Sequence, residues 1–175
     1  MKRDFTSLTP QQALQVAIFI EERNAEIYRQ FAELFDQFGD PDSREIATVF
    51  TDMAEEELTH GTDLQERYVY RYGTRSCAIT ADEVEDMVEL PQVPDGSIFA
   101  IARAGATTAP KRQALVLALA AEQTACSFYN FLVEVTEDEE LANLYHELGA
   151  FEEDHVKLLE RKLELLQAAL KPEEA

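Results

Sequence analysis

Cysteine is scarce in this sequence, and tryptophan is absent. The two cysteines, Cys77 and Cys126, stand 49 positions apart, and no CxxC pair occurs. This spacing argues against a disulfide framework and against a zinc or iron knuckle built on thiolates. A reducing cytoplasm is therefore the expected location. Cys126 is expected to serve as a small core residue, because free cysteine is usually buried.

Basic residues are also few: 15 Lys and Arg stand against 35 Asp and Glu, which gives a formal net charge of -20. Nucleic acids and anionic membranes recruit proteins through a surplus of positive charge, so neither is expected as a partner. A chain this acidic attracts cations instead. Most of its carboxylates are nevertheless expected to form solvated helix faces.

Long hydrophobic runs and strand-like alternation are missing as well. The longest apolar run, ALVLALAA at 114–121, fits a buried helix and is too short to span a membrane. The N-terminal MKRDFTSLTPQQ has no signal-like apolar stretch. With six glycines, six prolines and 46% apolar residues, the sequence predicts one soluble globular domain over residues 1–175.

Helical periodicity and capping signals divide the chain into four long helices. Thr9 and Gln12 form a capping box around Pro10, Asp40-Pro41 restarts the chain after Gly39, and Thr136 with Glu139 is expected to cap the last helix. The predicted helices span about 10–38, 41–72, 110–135 and 137–170. Residues 73–109 are interpreted as a crossover containing short helices, one of them capped by Thr80 with Glu83. The predicted fold is an all-α four-helix bundle of two hairpins with one long crossover.

A Glu-x-x-His pattern occurs in helix 2 and again in helix 4. MAEEELTHGTDL (53–64) aligns with LGAFEEDHVKLL (148–159), which pairs Glu57 with Glu152 and His60 with His155 at a constant offset of 95. Each Glu and His shares a helical face with apolar residues, so these side chains are expected to point into the core. The same helical phase favours them over the adjacent Glu56 and Glu153.

Helices 1 and 3 repeat a second pattern, in which a core-facing glutamate precedes a tyrosine by seven positions. Glu21 precedes Tyr28, and Glu122 precedes Tyr129. Helical phase again selects Glu21 over its neighbour Glu22. Four carboxylates and two imidazoles should therefore meet in mid-bundle, where buried carboxylates without compensation cost many kcal/mol. Two divalent cations would balance four carboxylates. Oxygen and imidazole donors suit iron or manganese, and structural zinc would leave two of the six groups spare.

With these residues the sequence resembles the ferritin-like di-iron carboxylate proteins, most closely the rubrerythrin type. The resemblance covers all four long helices and implies two iron ions per chain, with manganese or mixed metals as alternatives and no haem. Glu57 and Glu152 would bridge the metals. Tyr28 and Tyr129 match tyrosines that hydrogen-bond ligating carboxylates on another helix. The ligands implied are Glu21, Glu57, His60, Glu122, Glu152 and His155.

Departures from the family bear on function. Well-known rubrerythrins carry a further carboxylate three residues after the helix 3 ligand, where this sequence has Ala125. They also have a rubredoxin domain with CxxC pairs, which these residues do not contain. The ligand set is equally similar to that of bacterioferritin, but Leu58 stands in place of the haem-binding methionine, and a fifth helix for a storage cage is not expected. Asn24 could support Glu21, whereas His146 lies off the core stripe.

The leading hypothesis is an oxidoreductase that reduces peroxide or dioxygen in two-electron steps, using a separate electron-transfer protein as donor. The alternative is an iron-binding ferroxidase that handles iron without cage storage. A third interpretation is an acidic bundle that binds a protein partner and no metal. Hydroxylation of an organic substrate also occurs in this superfamily and would need a pocket at the crossover. A homodimer along the long helices is compatible with the pattern.

Overall fold

The chain forms four long α-helices in a computed structural model that describes residues 8–74, 83–84 and 108–169. The helices are α1 (Pro10–Asp36), α2 (Pro41–Tyr72), α3 (Thr108–Val135) and α4 (Glu139–Ala169). The described residues contain no strand. This confirms the all-α fold class. In the predicted crossover, Glu83 and Val84 are helical, whereas the cap at Thr80 and the rest of residues 75–107 lie outside the described residues.

The helix starts show how local sequence sets the bundle's element boundaries. Thr9 accepts a hydrogen bond from the Gln12 backbone, and the Gln12 side chain bonds back to Thr9, so the predicted capping box is present. Asp40 caps α2, because its carboxylate accepts hydrogen bonds from the backbone N–H and the hydroxyl of Ser43. Gly73, at φ 65°, ends α2 in a conformation that favours glycine.

The predicted cap of the last helix is wrong. α4 begins at Glu139, and the side chain of Asp138 accepts the hydrogen bond from the backbone of Leu141 at 3.0 Å. Thr136 instead extends the end of α3, because its backbone N–H donates to the carbonyl of Leu132 at 3.0 Å. Aspartate three positions before a free N–H is as good a cap as threonine, and here it is the one in position.

Two apolar clusters fill the bundle, one at each end. The first, or upper, cluster joins the start of α1, the end of α2, the end of α3 and the start of α4. The second, or lower, cluster joins the opposite ends of the same helices, including Phe31, Phe50 and Leu159. The helices therefore run down, up, up and down, which is the arrangement produced by two hairpins and one long crossover. The middle layer between the clusters is polar.

Among the described residues, α3 alone is long and apolar enough by composition to cross a membrane, with a mean hydropathy of 1.2 over its best window. This differs from the expectation that no segment reaches such a length. Its apolar residues Ala114, Leu115, Ala118 and Leu132 are buried in the bundle core. A helix that fills a core passes the same test as a membrane span, so the bundle itself accounts for this hydropathy.

Candidate metal centre

The polar layer consists of the six residues that the sequence singles out. Each is buried, with the four glutamates at 0% exposure and the two histidines at 8% or less. The neighbouring Glu22, Glu56 and Glu153 are more exposed, as their helical phase predicts. Each hairpin contributes two carboxylates and one imidazole. The residues are Glu21, Glu57 and His60 from the first hairpin, and Glu122, Glu152 and His155 from the second.

The donors divide into two overlapping groups of four. We call one the His155 half-site; its members are Glu57, Glu122, Glu152 and His155. We call the other the His60 half-site; its members are Glu21, Glu57, His60 and Glu152. Within each group, one donor atom from every residue lies within 4.8 Å of all the others. Glu57 and Glu152 belong to both groups, as the predicted bridging carboxylates would.

Two tyrosines hold the carboxylates of α1 and α3 across the bundle. The hydroxyl of Tyr28 on α1 donates a hydrogen bond to Glu122 on α3. The hydroxyl of Tyr129 on α3 donates to Glu21 on α1. Both tyrosines are fully buried. In each case one carboxylate oxygen is occupied by the phenol, which leaves the other oxygen turned toward the centre of the cluster.

Both histidines face the cluster with Nδ1. In the His155 half-site, Nδ1 of His155 lies 3.2 Å from Glu57 and 3.4 Å from Glu122. In the His60 half-site, Nδ1 of His60 lies 3.5 Å from Glu21. None of these contacts has the alignment of a hydrogen bond. The two nitrogens therefore point at the same space as the carboxylate oxygens.

Eight inward atoms of the cluster lack a hydrogen-bond partner among the described residues. They are both oxygens of Glu57 and of Glu152, one oxygen each of Glu21 and Glu122, and Nδ1 of each histidine. Buried polar atoms are normally satisfied, and several converging on one point are typical of a cation-binding site. Oxygen and imidazole donors with no thiolate fit iron or manganese. The residues present therefore fit a metal site.

Sequence comparison gives the family. Residues 12–95 match the rubrerythrin family, a range that holds Glu21, Glu57 and His60. The chain contains a rubrerythrin-family domain. The other three donors lie beyond the matched range, so their assignment rests on the geometry of the second hairpin.

Two solved structures share the fold of this rubrerythrin-family domain. A hypothetical protein from Pyrococcus furiosus is 20% identical, with a TM-score of 0.71 and coverage of 94% of each chain. An uncharacterized conserved protein from Magnetospirillum magnetotacticum MS-1 is 22% identical, with a TM-score of 0.69, over 90% of this chain and 95% of that one. At this identity the likeness establishes a ferritin-like bundle. No curated protein is similar enough in sequence to count as a relative.

In the rubrerythrin-family domain without metal, burial and neighbouring charges favour the protonated forms of several site residues. Burial, reinforced by the neighbouring carboxylates, raises the pKa of Glu57 and of Glu152 well above the usual value. Burial also opposes charge on His155, but Glu122 and Glu57 outweigh it and raise its pKa to about 11. The pKa of Glu122 moves in the opposite direction: despite burial, it is lowered by close contacts with Glu152 and His155 and by the hydrogen bond from Tyr28. Without metal, retained protons therefore offset part of the negative charge of the cluster.

Sequence reasoning misses two residues behind the histidines. Nε2 of His155 lies 2.8 Å from a carboxylate oxygen of Glu56, which the sequence presents only as a solvated neighbour of Glu57. The ring of Phe151 lies 4.9 Å from that of His60, with a 36° angle between the rings. A residue directly before a core glutamate sits at the edge of the helix and faces the next helix. That phase is the only sequence signal that could have found them.

Three residues outside the ligand set are also placed by the structure. Asn24 is 1% exposed, and neither end of its amide has a hydrogen-bond partner among the described residues. It lies one turn from both Glu21 and Tyr28 on the inner face of α1. His146 is exposed and lies outside the cluster. Cys126 is only partly buried, with weak contacts to Gly149 and Asn130 at 3.9 and 3.5 Å.

Proposed function

We propose that the protein is a di-iron carboxylate oxidoreductase that reduces peroxide or dioxygen with electrons from an external donor. The observation that carries the proposal is the sharing of Glu57 and Glu152 between two four-donor groups. Two ions of charge +2 would neutralise the four carboxylates, which explains why so many acidic groups tolerate burial. When bound, two ferrous ions supply the two electrons for hydrogen peroxide, which is reduced with two protons to two waters.

The protein's own groups would bind, orient and shield this centre. Glu21 and Glu122 are fixed by the phenols of Tyr129 and Tyr28, and a fixed carboxylate does not have to reorganise when charge at the centre changes. Burial, with neighbouring carboxylates, raises the pKa of both tyrosines well above 10, so they remain hydrogen-bond donors throughout the physiological range. The apolar clusters above and below restrict access of water.

The electron donor would be a separate protein. The sequence has two cysteines and no CxxC pair, so a rubredoxin-type iron site is not contained in these residues. Re-reduction between turnovers would then come from outside these residues, and we assign it to a separate protein. Soluble cytoplasmic carriers of one electron are the class of partner that fits.

A second candidate is iron handling, in which the site binds and oxidises Fe(II) without repeated turnover. Ala125 favours this candidate, because it replaces the carboxylate that well-known rubrerythrins have at that position and is fully buried. The six remaining donors are those of a ferroxidase centre. The two candidates share the metal site and differ in the fate of the iron once it has been oxidised for the first time.

Metal analysis with an anaerobic Fe(II) titration tests the site itself. Two metal ions per chain are expected, with loss of binding in Glu152→Ala and retention in the control Glu153→Ala. Glu153 is the adjacent, exposed residue of the same helix, so the pair differs in orientation and not in charge removed. Fewer than two ions per chain in the wild type would contradict a dinuclear centre.

Rapid mixing of the diferrous protein with peroxide, and separately with dioxygen, tests the reaction. The oxidoreductase predicts repeated turnover with an added reductant, and a peroxidase predicts a preference for peroxide of at least about tenfold, or roughly 1.4 kcal/mol of barrier. A single oxidation with no turnover, and release of ferric iron, would support iron handling instead.

A further inference from the structure

The two half-sites differ in what stands behind the histidine. The offset of 95 that aligns Glu57 with Glu152 also aligns Glu56 with Phe151. Glu56 packs behind His155 as Phe151 packs behind His60, so the two contacts are equivalent in the internal symmetry of the bundle. One contact is a carboxylate and the other is a hydrocarbon ring.

The carboxylate of Glu56 sets the tautomer and the orientation of the His155 ring. Nε2 of His155 is 2.8 Å from Glu56, so that nitrogen carries the proton and donates it in a hydrogen bond. When a metal ion displaces the second proton of the ring, the lone pair is on Nδ1, which faces Glu57 and Glu122. A carboxylate partner of this kind fixes the tautomer and the ring orientation of a metal-binding histidine and raises its basicity.

His60 has no such partner among the described residues. Its ring is packed against Phe151, which offers no hydrogen-bond acceptor, and no carboxylate in the described part of the chain pairs with its outer nitrogen. The tautomer of His60 is therefore not fixed from behind. Phe151 is itself 50% exposed, so it covers the histidine only partly.

Other supports of the half-sites are matched. Each has one carboxylate held by a buried tyrosine, Glu122 by Tyr28 and Glu21 by Tyr129. Each also uses Glu57 and Glu152. The hydrogen bonds from tyrosine and the two shared glutamates are therefore the same in both half-sites. The contact behind the histidine is the difference between them.

We propose that the two half-sites bind metal unequally: the His155 half-site fills first and retains its ion, and the His60 half-site holds the weaker, exchangeable ion. This rests on the proposed dinuclear centre and assigns Glu56 as a positioning residue for His155. Loss of an outer partner of a metal-binding histidine typically weakens metal binding roughly 10- to 100-fold, which sets the expected scale of the difference.

Anaerobic titration with Mn(II) against a competing chelator resolves the two steps. The wild type should show a tight and a weak step. Glu56→Ala should weaken the tight step by about 10- to 100-fold, and Glu56→Gln, which keeps a neutral acceptor, should weaken it less. Phe151→Glu gives His60 the missing carboxylate and should tighten the weak step by a similar factor.

Glu55→Ala is the matched control for charge. Glu55 is the exposed residue next to Glu56 on α2, so its removal lowers the negative charge equally without touching His155. Both steps should remain near wild type in this variant. His60→Ala should abolish only the weak step, which assigns the steps to the half-sites independently. Anomalous diffraction from crystals with one Mn(II) per chain should show the ion beside His155.

The outcomes separate the inference from the function on which it rests. Two ions bound with equal affinity, or a Glu56→Ala variant no weaker than Glu55→Ala, overturns unequal binding and leaves the dinuclear centre intact. An anomalous peak beside His60 at one equivalent overturns it too. A wild type that binds no metal removes the proposed function together with the inference.

Discussion

Tyr129 on α3 donates its hydroxyl to Glu21 on α1, and this bond crosses between the two hairpins. Its symmetry mate runs the other way, from Tyr28 on α1 to Glu122 on α3. Each hairpin therefore positions a carboxylate of the other. The four carboxylates are in place only when the hairpins have docked, so the site is a property of the whole bundle.

Replacing Tyr129 by Phe should destabilise the metal-free protein by about 1–3 kcal/mol, because an oxygen of Glu21 loses its donor while it stays buried. Urea unfolding in the presence of a chelator measures the change. Tyr145→Phe is the control: this tyrosine is also buried and packs on Tyr129, but its hydroxyl has no hydrogen-bond partner among the described residues. Equal losses in the two variants would show that the bond to Glu21 is not what stabilises the bundle.

The metal-free protein should lose stability as pH rises from about 5 to 9. The pKa of Glu57 and Glu152 is raised above 4.5 by burial, so the folded state keeps protons that the unfolded chain releases. The pKa of His155 is raised to about 11, so its contribution is complete below 6.5 and is lost as pH rises through 11. Each retained proton contributes a slope of about 1.4 kcal/mol per pH unit.

Urea unfolding at several pH values, with a chelator and with saturating Mn(II), measures this slope. Bound metal replaces the protons, so the decline should disappear or reverse when metal is present. Glu122 acts in the opposite sense, since its lowered pKa costs stability only below about pH 4.5. A metal-free protein that gains stability between about pH 5 and 9 would contradict the pKa directions.

Glu57→Gln should separate the contribution of this residue to the stability of the metal-free protein from its contribution to metal binding. The amide imitates the protonated carboxyl that burial favours, so the metal-free stability at pH 7 should change by no more than about 1 kcal/mol and should depend less on pH. Metal binding should fall from two ions to one or none, because Glu57 serves both half-sites. Glu55→Gln should preserve both ions. The measurement is metal content after gel filtration, together with urea unfolding.

Asn24→Leu should stabilise the metal-free protein by about 1–3 kcal/mol, because it removes a buried amide without partners among the described residues and keeps the number and branching of the side-chain heavy atoms. If the amide bonds to solvent or substrate at the His60 half-site, the gain should shrink when metal is bound. Thermal unfolding with and without Mn(II) gives both values. A destabilised metal-free variant would show that the amide is already satisfied.

Much of the fold could be predicted from local signals. The capping box at Thr9, the Asp40-Pro41 start and the periodicity of the long helices indicate the bundle, because these signals depend only on neighbouring residues. The start of α4 could not be chosen correctly, since Thr136 and Asp138 are both good caps. The backbone geometry at the end of α3 decides between them.

The burial of the six donors is predictable from helical phase, and their roles as metal ligands remain a prediction. Helical phase places a residue such as Glu56 at the edge of the core, but it does not identify the residue of the next helix that it contacts. Glu56 is one more glutamate in an acidic run, and only the packing of α2 against α4 places it behind His155. The hydrogen bonding of the Asn24 amide cannot be predicted for the same reason. Whether a buried amide finds a partner depends on the residues that face it from the other helices.

The polar layer divides the upper cluster from the lower one, and this division has a consequence for alignment. If one hairpin slid by a single turn against the other, carboxylates would move toward the apolar residues of one cluster, such as Met53, at a cost of several kcal/mol for each charge. Hydrophobic matching alone would tolerate such slippage far better. The groups proposed to bind the ions therefore also fix the register in which the two hairpins pack against each other.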